Sequence, residues 1–367
     1  MKIICSRSDL QKSINIVMKA IPSKTTMSIL QNIMIDASKG VIHFIANDME
    51  LGIETVVEGR IDEKGKVALD AKLFSDIVRK LPDSEVIITV DNNYLTEIRC
   101  EKSKFKIPGL SGEDFPYLPY VEKDHSIAIS QFTLKEVIRQ TAISIAQNEN
   151  NKMMSGELFE IIDNSLRVVS LDGHRISIRR IELRESYEHK KVIVPGKTLM
   201  EISKILSGEV EDDVVLYFTK NHILFEFDQT IAVSRLIEGE YFNVDKMVSN
   251  DYNTKVTINK QEFISCIDRA TLFVKEGDKK PVILGADDTL LTLKIASDIG
   301  SMDEQIMIEK EGKDILIGFN PRFLLDALRV IDDEEVELYM VNSKAPCIIR
   351  DEASTYTYLI LPINFNQ

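Results

Sequence analysis

Short alternating strands followed by amphipathic helices recur along this chain. Three segments show the pattern most clearly: "KVALDAKLFSDIVRKLP", "KVIVPGKTLMEISKILS" and "DILIGFNPRFLLDALRVI". Each begins with alternating apolar residues and continues with apolar residues three and four positions apart. In the first segment, Leu73, Phe74, Ile77 and Val78 are predicted to form one stripe that packs on a sheet. The pattern predicts a strand, a turn and an amphipathic helix in every copy.

The three segments are copies of one repeat. Positions 72, 197 and 322 are all basic, and both intervals between them are 125 residues. Three sets of residues keep this register: Lys72, Lys197 and Arg322; Arg79, Lys204 and Arg329; Asp76, Glu201 and Asp326. Agreement at three independent positions indicates a threefold internal repeat.

Each repeat also has an earlier half. The segments "MKIICSRSDLQKSINIV", "HSIAISQFTLKEVIRQT" and "TKVTINKQEFISCIDRA" each predict a strand, a polar N-cap and a helix. Short strands with Asn and Asp at their turns follow, as in "EVIITVDNN". The predicted fold class is α+β, with three similar domains that each pack two helices on antiparallel sheets. The predicted domains are residues 1–123, 124–252 and 253–367.

Composition places the chain among soluble globular proteins. Hydrophobic residues make up 44% and charged residues 28% of its 367 residues. No apolar run has the length of a membrane span, and the start lacks a signal-peptide core. The four cysteines lie far apart without a CxxC pair, which favours reduced thiols over a disulfide framework or a zinc site. We therefore expect a cytoplasmic protein that does not bind a membrane.

The net charge of the chain and the charges on its predicted helices point to different partners. The formal net charge of −14 argues against a protein that coats nucleic acid with its whole surface. All six predicted helices nevertheless carry Lys or Arg. If these helices line a common surface, they form a diffuse cationic track suited to phosphate contacts that do not read sequence. The alternative is that these cations belong to ordinary solvated helix faces.

Motifs for catalysis are weak. The "PGKT" at 195–198 would need a Gly five positions before Gly196, where Lys191 stands, so a phosphate-binding loop is not predicted. The five His residues form no HxxxH or HExxH pair, and nothing resembles GxSxG. We expect no cofactor, no metal and no catalytic activity.

Four further stretches of the sequence resemble those of a known protein family. With the threefold repeat, "SLDGHRIS", "GLSGEDFP", "LIEGEYF" and "TYLILPINFNQ" resemble the bacterial DNA polymerase III beta subunits, the sliding clamps, over essentially the whole chain. The resemblance implies a head-to-tail homodimer of three-domain subunits that closes into a ring around double-stranded DNA. Such a contact closes only when its rotation fits. The implied function is to tether the replicative DNA polymerase and confer processivity, without catalysis.

The resemblance also implies a groove for short peptide motifs of the replicative polymerase alpha subunit, the clamp loader and repair polymerases. Its Leu, Ile, Met and Phe side chains would hold apolar anchors, while His and Arg orient the peptide. The matching positions are Met154, Leu171, Gly173, His174, Arg175, Ile176, Phe242, Met247, Asn320, Phe323, Pro346, Leu359, Leu361, Pro362 and Ile363. Phe242 replaces a usual Pro, and Asn364 stands where a basic residue is frequent. Without the resemblance, Asp172–Gly173 is an ordinary hairpin turn and His174 a satisfied polar residue.

DNA and dimer contacts follow by the same matching. The DNA contacts fall on Lys24, Lys72, Asn148, Lys152 and Met153, and the repeated helices add Lys197. Related clamps have an aromatic pair where Lys152 and Met153 stand, so base stacking is not expected here. The dimer contacts map to Phe105 on one face and to Leu272 and Phe273 on the other. The alternative for these three apolar residues is a place in the buried core.

Two other functions compete with the clamp. One is an enzyme that uses Asp172, His174 and Arg175 on a threefold-repeat scaffold. The other is a repeat-built interaction protein that never meets DNA. Alanine at His174 and Arg175 separates the clamp from the enzyme. Neutralising Lys24, Lys72 and Lys197 separates the clamp from the interaction protein.

Overall fold

The computed structural model describes residues 1–147, 151–275 and 280–365. Helices and antiparallel strand pairs make up this part of the chain, so the predicted α+β class is confirmed. The chain divides into two compact units. Unit 1 contains Met1–Lys135 and Lys197–Leu236, and unit 2 contains Glu136–Gly196 and Ile237–Gln367. The domain limits near 123 and 252 stay a prediction.

Six helices lie in the described residues. They are α1 (Arg7–Val17), α2 (Ala71–Lys80), α3 (Gln131–Thr141), α4 (Gly196–Ser203), α5 (Lys260–Thr271) and α6 (Pro321–Val330). The side chains of Ser6, Asp70, Asn259 and Asn320 accept backbone N–H groups at the starts of α1, α2, α5 and α6. These caps satisfy donors that the first turn leaves unpaired, which explains where the helices begin.

Strands make up most of the remaining chain. The first twelve are β1 (Lys2–Ser6), β2 (Asn32–Asp36), β3 (Ile42–Asn47), β4 (Leu51–Val57), β5 (Arg60–Glu63), β6 (Lys66–Asp70), β7 (Glu85–Val90), β8 (Leu95–Cys100), β9 (Ser103–Leu110), β10 (Ser126–Ser130), β11 (Gly156–Leu171) and β12 (Arg175–Pro195). The next twelve are β13 (Asp213–Phe218), β14 (His222–Phe227), β15 (Thr230–Arg235), β16 (Thr254–Asn259), β17 (Val282–Asp287), β18 (Leu290–Ser297), β19 (Gly300–Met307), β20 (Glu309–Gly312), β21 (Ile315–Phe319), β22 (Glu335–Met340), β23 (Cys347–Arg350) and β24 (Tyr356–Ile360).

Unit 1 is built on one sheet of 13 strands in the order β10-β13-β14-β15-β4-β3-β2-β6-β9-β8-β7-β1-β5. Helix α2 buries Ala71, Phe74, Ile77 and Val78. The prediction that Leu73 belongs to the buried stripe is wrong, because this side chain is 44% exposed. Ala71 takes the buried position instead, three residues before Phe74, where the helical period requires it.

Unit 2 contains two sheets. The larger has seven strands in the order β11-β12-β24-β23-β22-β16-β20, and the smaller has the order β19-β18-β17-β21. Helices α5 and α6 bury Phe263 and Leu324 in a core that also contains Phe319 and Tyr358. Strands β11 and β12 form a long hairpin, and β12 pairs on its other side with β24.

The four cysteines are buried free thiols: Cys5, Cys100, Cys266 and Cys347. Burial raises the pKa of Cys5 and of Cys266 to about 12. A thiol with such a pKa stays protonated at neutral pH and is a poor nucleophile and metal ligand. None of the helices in the described ranges is long and apolar enough to cross a membrane.

Candidate functional site

A tight turn joins β11 to β12. Gly173 adopts a φ of +86°, which Gly tolerates far better than a residue with a side chain. The Oδ1 atom of Asp172 accepts hydrogen bonds from the backbone N–H of His174 at 3.0 Å and of Arg175 at 3.1 Å. An Asp side chain that caps the backbone in this way fixes a turn. The segment therefore presents His174 and Arg175 in a defined position.

Arg175 links this turn to helix α6. Its Nε donates to Asp172 Oδ2 at 2.9 Å, and its Nη1 donates to Asp326 Oδ2 at 2.6 Å. The guanidinium carbon lies 4.2 Å from the centre of the Phe323 ring, a cation–π distance. Burial opposes the charged form of Arg175, but Tyr358, Asp326 and Asp172 outweigh it and raise the pKa above its usual range. The side chain is thus a permanently charged part of the site.

The C-terminal segment runs beside the turn. The carbonyl of His174 accepts the N–H of Leu361 at 2.9 Å, and the carbonyl of Gly318 accepts the N–H of Ile363 at 2.8 Å. The exposed ring of His174 stacks on Phe323 at a centroid distance of 6.1 Å. The turn, the start of α6 and the residues after β24 therefore meet within unit 2.

An apolar cluster adjoins this meeting point. Leu171 faces Ile176 across the hairpin, and Ile176 faces Leu359 across the next strand pair. Met154 and Phe242 pack against these buried residues and are themselves half-buried. We define the apolar floor as Leu158, Val169, Leu171, Ile176, Ile178, Val244 and Leu359, with Met154, Tyr241, Phe242 and Val248 at its edge.

The remaining predicted groove residues differ in their environment. Asn320 caps helix α6, Leu361 is 41% exposed, and Pro362 is half-buried. Met247 is 50% exposed and Pro346 is half-buried, and neither belongs to the apolar floor. The structure therefore groups most of the predicted set around the turn and the floor, and leaves these two outside the cluster.

The predicted DNA contacts in unit 1 are three lysines. Lys24 and Lys72 are exposed. Lys197 is also exposed, but its Nζ lies 2.7 Å from Asp48 Oδ2. An ion pair of this kind lowers the positive charge that Lys197 offers to a phosphate.

The described DNA contacts predicted in unit 2 lie directly before strand β11. Lys152 is exposed, and Met153 is half-buried with its side chain close to Gly239. Asn148 lies outside the described residues.

Arg79 and Lys204, repeated basic residues in or next to α2 and α4, each pair with an acidic residue three positions earlier. Arg79 lies 2.6 Å from Asp76, and Lys204 lies 2.8 Å from Glu201. Both are exposed pairs three residues apart, which contribute only a few tenths of a kcal/mol, on the order of 0.3. Their acidic partners reduce the net charge of the predicted cationic track.

The three predicted dimer residues are not all part of a core. Leu272 is 72% exposed and Phe105 is 36% exposed. Phe273 is partly buried and packs against the core of unit 2. The alternative that these residues belong to the buried core is therefore correct in part for Phe273 and wrong for Leu272.

Asp326 was not among the predicted site residues, although its ion pair with Arg175 anchors the turn to helix α6. Its repeat equivalents Asp76 and Glu201 pair with basic residues three positions later, and the sequence register predicted no other role for Asp326. The available signal was weak: only in the third copy does an aromatic residue, Phe323, precede the acid by three positions.

Comparison with known protein families supplies the deciding observation. Sequence models of the DNA polymerase III beta subunit match residues 1–119 with its N-terminal domain, 128–243 with its central domain and 246–364 with its C-terminal domain. The chain belongs to the DNA polymerase III beta subunit family. The predicted family, the three-domain clamp fold and the predicted function as a sliding clamp that confers processivity are thereby confirmed.

Individual beta subunits agree with this assignment. The beta sliding clamp of Staphylococcus epidermidis is 34% identical over 361 residues, which are 95% of this chain and 96% of that protein. A crystal structure from Eubacterium rectale, described as a DNA polymerase III beta subunit, is 64% identical with a TM-score of 0.97. The DNA polymerase sliding clamp of Bacillus subtilis is 33% identical with a TM-score of 0.95. Both structures are covered over 100% of each chain.

Proposed function

We propose that this chain forms a head-to-tail homodimer whose six domains, three per subunit with limits near 123 and 252, encircle duplex DNA. The clamp holds DNA topologically and without base readout. It tethers the replicative polymerase alpha subunit, the clamp loader and repair polymerases, which bind through short peptide motifs. The buried free thiols support a location in the cytoplasm, where cysteines stay reduced.

The observation that carries the peptide site is the meeting of the turn, the apolar floor and the C-terminal segment in unit 2. Buried Leu171, Ile176 and Leu359 form a base on which apolar side chains of a peptide pack. The exposed His174 and the adjoining Phe323 give a rim with polar and aromatic groups. This combination is typical of grooves that take extended peptides with apolar anchors.

The same geometry supports a binding function without catalysis. Both carboxylate oxygens of Asp172 accept hydrogen bonds inside the turn, from the N–H groups of His174 and Arg175 and from the Arg175 guanidinium. Arg175 is also paired with Asp326. These groups are engaged in holding the turn, which argues against the competing enzyme hypothesis built on them.

The DNA interface rests on the exposed cations of both units. Lys24, Lys72 and Lys152 are exposed, and the predicted contacts Lys197 and Met153 complete the described set. Contacts of this type attract phosphates without fixing register, which suits a protein that slides. Phe105 and the pair Leu272 and Phe273 are the proposed dimer contacts.

Retention on circular DNA tests this function. Labelled protein is loaded onto a nicked circular plasmid with its clamp loader and ATP, washed in high salt, and the circle is then cut once. A topological clamp resists the salt wash and leaves only after the cut. Removal from uncut circles by salt alone, after loading is verified in low salt, would show contact binding and overturn the ring.

A further inference from the structure

A second feature lies on the sheet face that carries the apolar floor. Along β12, Ile176, Ile178 and Arg180 project to the same face because side chains alternate along a strand. Arg180 stands directly opposite Arg167 on β11. The face therefore changes from apolar to basic within four residues.

A third arginine, Arg350 on β23, lies on the same face of this sheet, on the opposite side of β12 from β11. Thr357 on β24 pairs with Ile178 on β12, and Arg350 on β23 pairs with Thr357. Directly paired residues share a face of the sheet. Arg167, Arg180 and Arg350 thus converge although 170 residues separate the second from the third, and no local sequence pattern connects them.

These side chains line a cavity of about 330 Å³. Its polar lining is formed by Arg167, Arg180, Arg350, Asp245, Asn250, Ser354 and Thr357. Ile178 and Val248 also line it, and both belong to the apolar floor or its edge. The cavity lies at the lower end of the volumes typical of ligand sites, on the order of 300–1,000 Å³. It therefore adjoins the apolar floor of the proposed peptide groove through Ile178 and Val248.

Two of the arginines already have partners. Arg167 lies 2.7 Å from Asp245 and 3.2 Å from Glu160, while its Nε is buried without a hydrogen-bond partner in the described chain. Arg350 donates to Asn250 Oδ1 at 2.7 Å. Asp245 and Glu160 therefore offset part of the charge that Arg167 brings to the cavity.

Arg180 differs from Arg167, which has two carboxylate partners, and from Arg350, whose guanidinium donates to the neutral Asn250 side chain. Within the residues that the structure describes, no carboxylate oxygen lies within ion-pair distance of its guanidinium. Partial desolvation and then the neighbouring charge of Arg167 lower the pKa of Arg180, Asp245 and Glu160 oppose this shift, and Arg350 adds to the repulsion. An anion beside Arg180 would relieve that repulsion and gain a charge-assisted, bidentate hydrogen bond.

We propose that the Arg167–Arg180–Arg350 pocket binds the carboxylate of an acidic residue in the same partner peptide whose apolar side chains occupy the groove. The proposal rests on the proposed peptide-binding function. A single carboxylate can pair with Arg180, which makes neither an ion pair nor a side-chain hydrogen bond within the part of the chain that the structure describes. A phosphate group would bring more negative charge close to Asp245 and Glu160. The position of the pocket beside the apolar floor also favours a peptide over nucleic acid.

The sheet geometry sets the spacing of the peptide. Ile176 and Arg180 are four residues apart on one strand, a span of roughly 13 Å at about 3.3 Å per residue. An extended peptide covers this distance in about four residues. The acidic residue should therefore lie about four positions from the apolar anchor.

The test uses fluorescein-labelled 12-residue peptides with a Leu-Phe anchor and one Asp placed at each other position, and a matched series with Asn. Fluorescence anisotropy measures their binding to the full-length protein, Arg180→Gln, Phe323→Ala and the control Arg60→Gln, whose arginine is exposed in unit 1. We expect the Asp peptide with a spacing near four to bind about five- to tenfold more tightly than its Asn counterpart. Arg180→Gln should abolish this preference, and Arg60→Gln should keep it.

The outcomes separate the two proposals. A preference for Asp that persists in Arg180→Gln would overturn the carboxylate pocket. Phe323→Ala should weaken both peptide series, and if it weakens neither while Arg180→Gln still removes the Asp preference, the pocket stands and the groove fails. If Arg180→Gln weakens binding of a short DNA duplex and changes no peptide, the pocket is a phosphate contact and the carboxylate proposal is wrong. The melting temperature of Arg180→Gln should equal or exceed that of the unmodified protein, because the change removes repulsion between like charges.

Discussion

The guanidinium of Arg175 lies 2.6 Å from the carboxylate of Asp326, 151 residues further along the chain. This ion pair holds the turn before β12 against helix α6. In the other two copies of the repeat, Asp76 and Glu201 instead pair with a basic residue three positions later in the chain. One repeated acidic position thus has a local role in two copies and a long-range role in the third.

Replacing Asp326 with Asn should destabilise the protein and loosen the groove. The Arg175 side chain is only 10% exposed, so loss of its partner leaves a nearly buried charge less well compensated. Because Asp326 itself is 38% exposed, solvent limits the cost, and we expect about 1–2 kcal/mol lower free energy of unfolding. Urea denaturation measures this change.

Asp76→Asn is the matched control for that experiment, since position 76 is the repeat equivalent of position 326. Its pair with Arg79 is exposed and lies within one helix, so the free energy of unfolding should fall by only about 0.3 kcal/mol. Equal losses in the two variants would show that the Arg175–Asp326 pair has no special structural role.

Replacing Phe323 with Ala should weaken partner peptides without releasing the clamp from DNA. Phe323 contacts both the His174 ring and the Arg175 guanidinium, so its loss removes the aromatic rim of the groove. We expect about 10- to 100-fold weaker binding of an apolar peptide, as for other central aromatic residues. Isothermal titration calorimetry gives the affinity, and retention on nicked circles should be unchanged.

Leu73→Ala is the control for Phe323→Ala, because Leu73 occupies the same repeat position in helix α2 and is 44% exposed. Peptide affinity should not change in this variant. A similar loss of affinity in both variants would mean that Phe323 acts through general stability and not through the groove.

Glu157 should make stability depend on pH. Its side chain is fully buried, and burial raises the pKa of its carboxyl group from 4.5 to about 8. The Thr141 hydroxyl lies 2.7 Å from the Val137 carbonyl, to which it donates, and 2.8 Å from Glu157 Oε2. A hydroxyl has one proton, so a protonated Glu157 donates the second hydrogen bond.

The sign of this pH effect follows from proton linkage. Between pH 4.5 and about 8 the folded protein keeps a proton that the unfolded chain releases, so the free energy of unfolding falls as pH rises through this window. Glu157→Gln stays neutral and should remove this slope. At pH 8.5 the variant should be more stable by about 1–3 kcal/mol, and at pH 4.5 the two proteins should be nearly equal. Parallel stability curves from pH 4.5 to 8.5 would contradict a protonated Glu157.

Neutralising the exposed lysines should reduce the salt dependence of DNA binding. Lys24→Gln and Lys72→Gln should each lower the slope of log K against log salt concentration by about 0.9 if each lysine contacts one phosphate. Lys197→Gln should have a smaller effect because Asp48 already pairs with this lysine. Binding of a fluorescent duplex at several salt concentrations gives the slopes. Lys39→Gln, an exposed lysine outside the predicted track, serves as the control, and a slope that stays the same in all four variants would count against the DNA interface.

Introducing a charge at Leu272 should separate the proposed dimer. This side chain is 72% exposed although it is apolar, and Leu272→Glu would place a carboxylate in an apolar contact at a cost of several kcal/mol, on the order of 3. Sedimentation velocity should then show a monomer at concentrations where the unmodified protein is a dimer. Val210→Glu, at a position that is 60% exposed in unit 1, should leave the mass unchanged. A dimer that persists in Leu272→Glu would rule out this position as an essential contact.

Local patterns predicted the elements well because their signals lie within single segments. The strand and helix of each repeat follow from apolar spacing and from caps such as Asp70 and Asn320, which need no distant residue. The prediction that Leu73 is buried was wrong, because the smaller Ala71 occupies the buried position in the helix. The spacing of apolar residues alone does not show whether an alanine is buried or exposed.

Contacts between residues far apart in the chain could not be predicted from the sequence, for a physical reason. Asp326 has a basic residue three positions later, as its repeat equivalents do, so a local partner was available and the distant Arg175 was not predicted. Arg167, Arg180 and Arg350 meet only because three strands place them on one face in register. The resemblance suggested which residues belong to the proposed groove, whereas the ion pairs beside it were visible only in the three-dimensional structure.

The burial of all four cysteines makes this protein convenient for site-specific labelling. Their thiols are shielded, and the raised pKa values leave little thiolate to react with maleimides at neutral pH. A single new cysteine at Tyr120, which is 91% exposed, should therefore accept a fluorophore selectively in the native background. Opening of the proposed ring and its movement along DNA can then be followed by fluorescence without first removing the natural thiols.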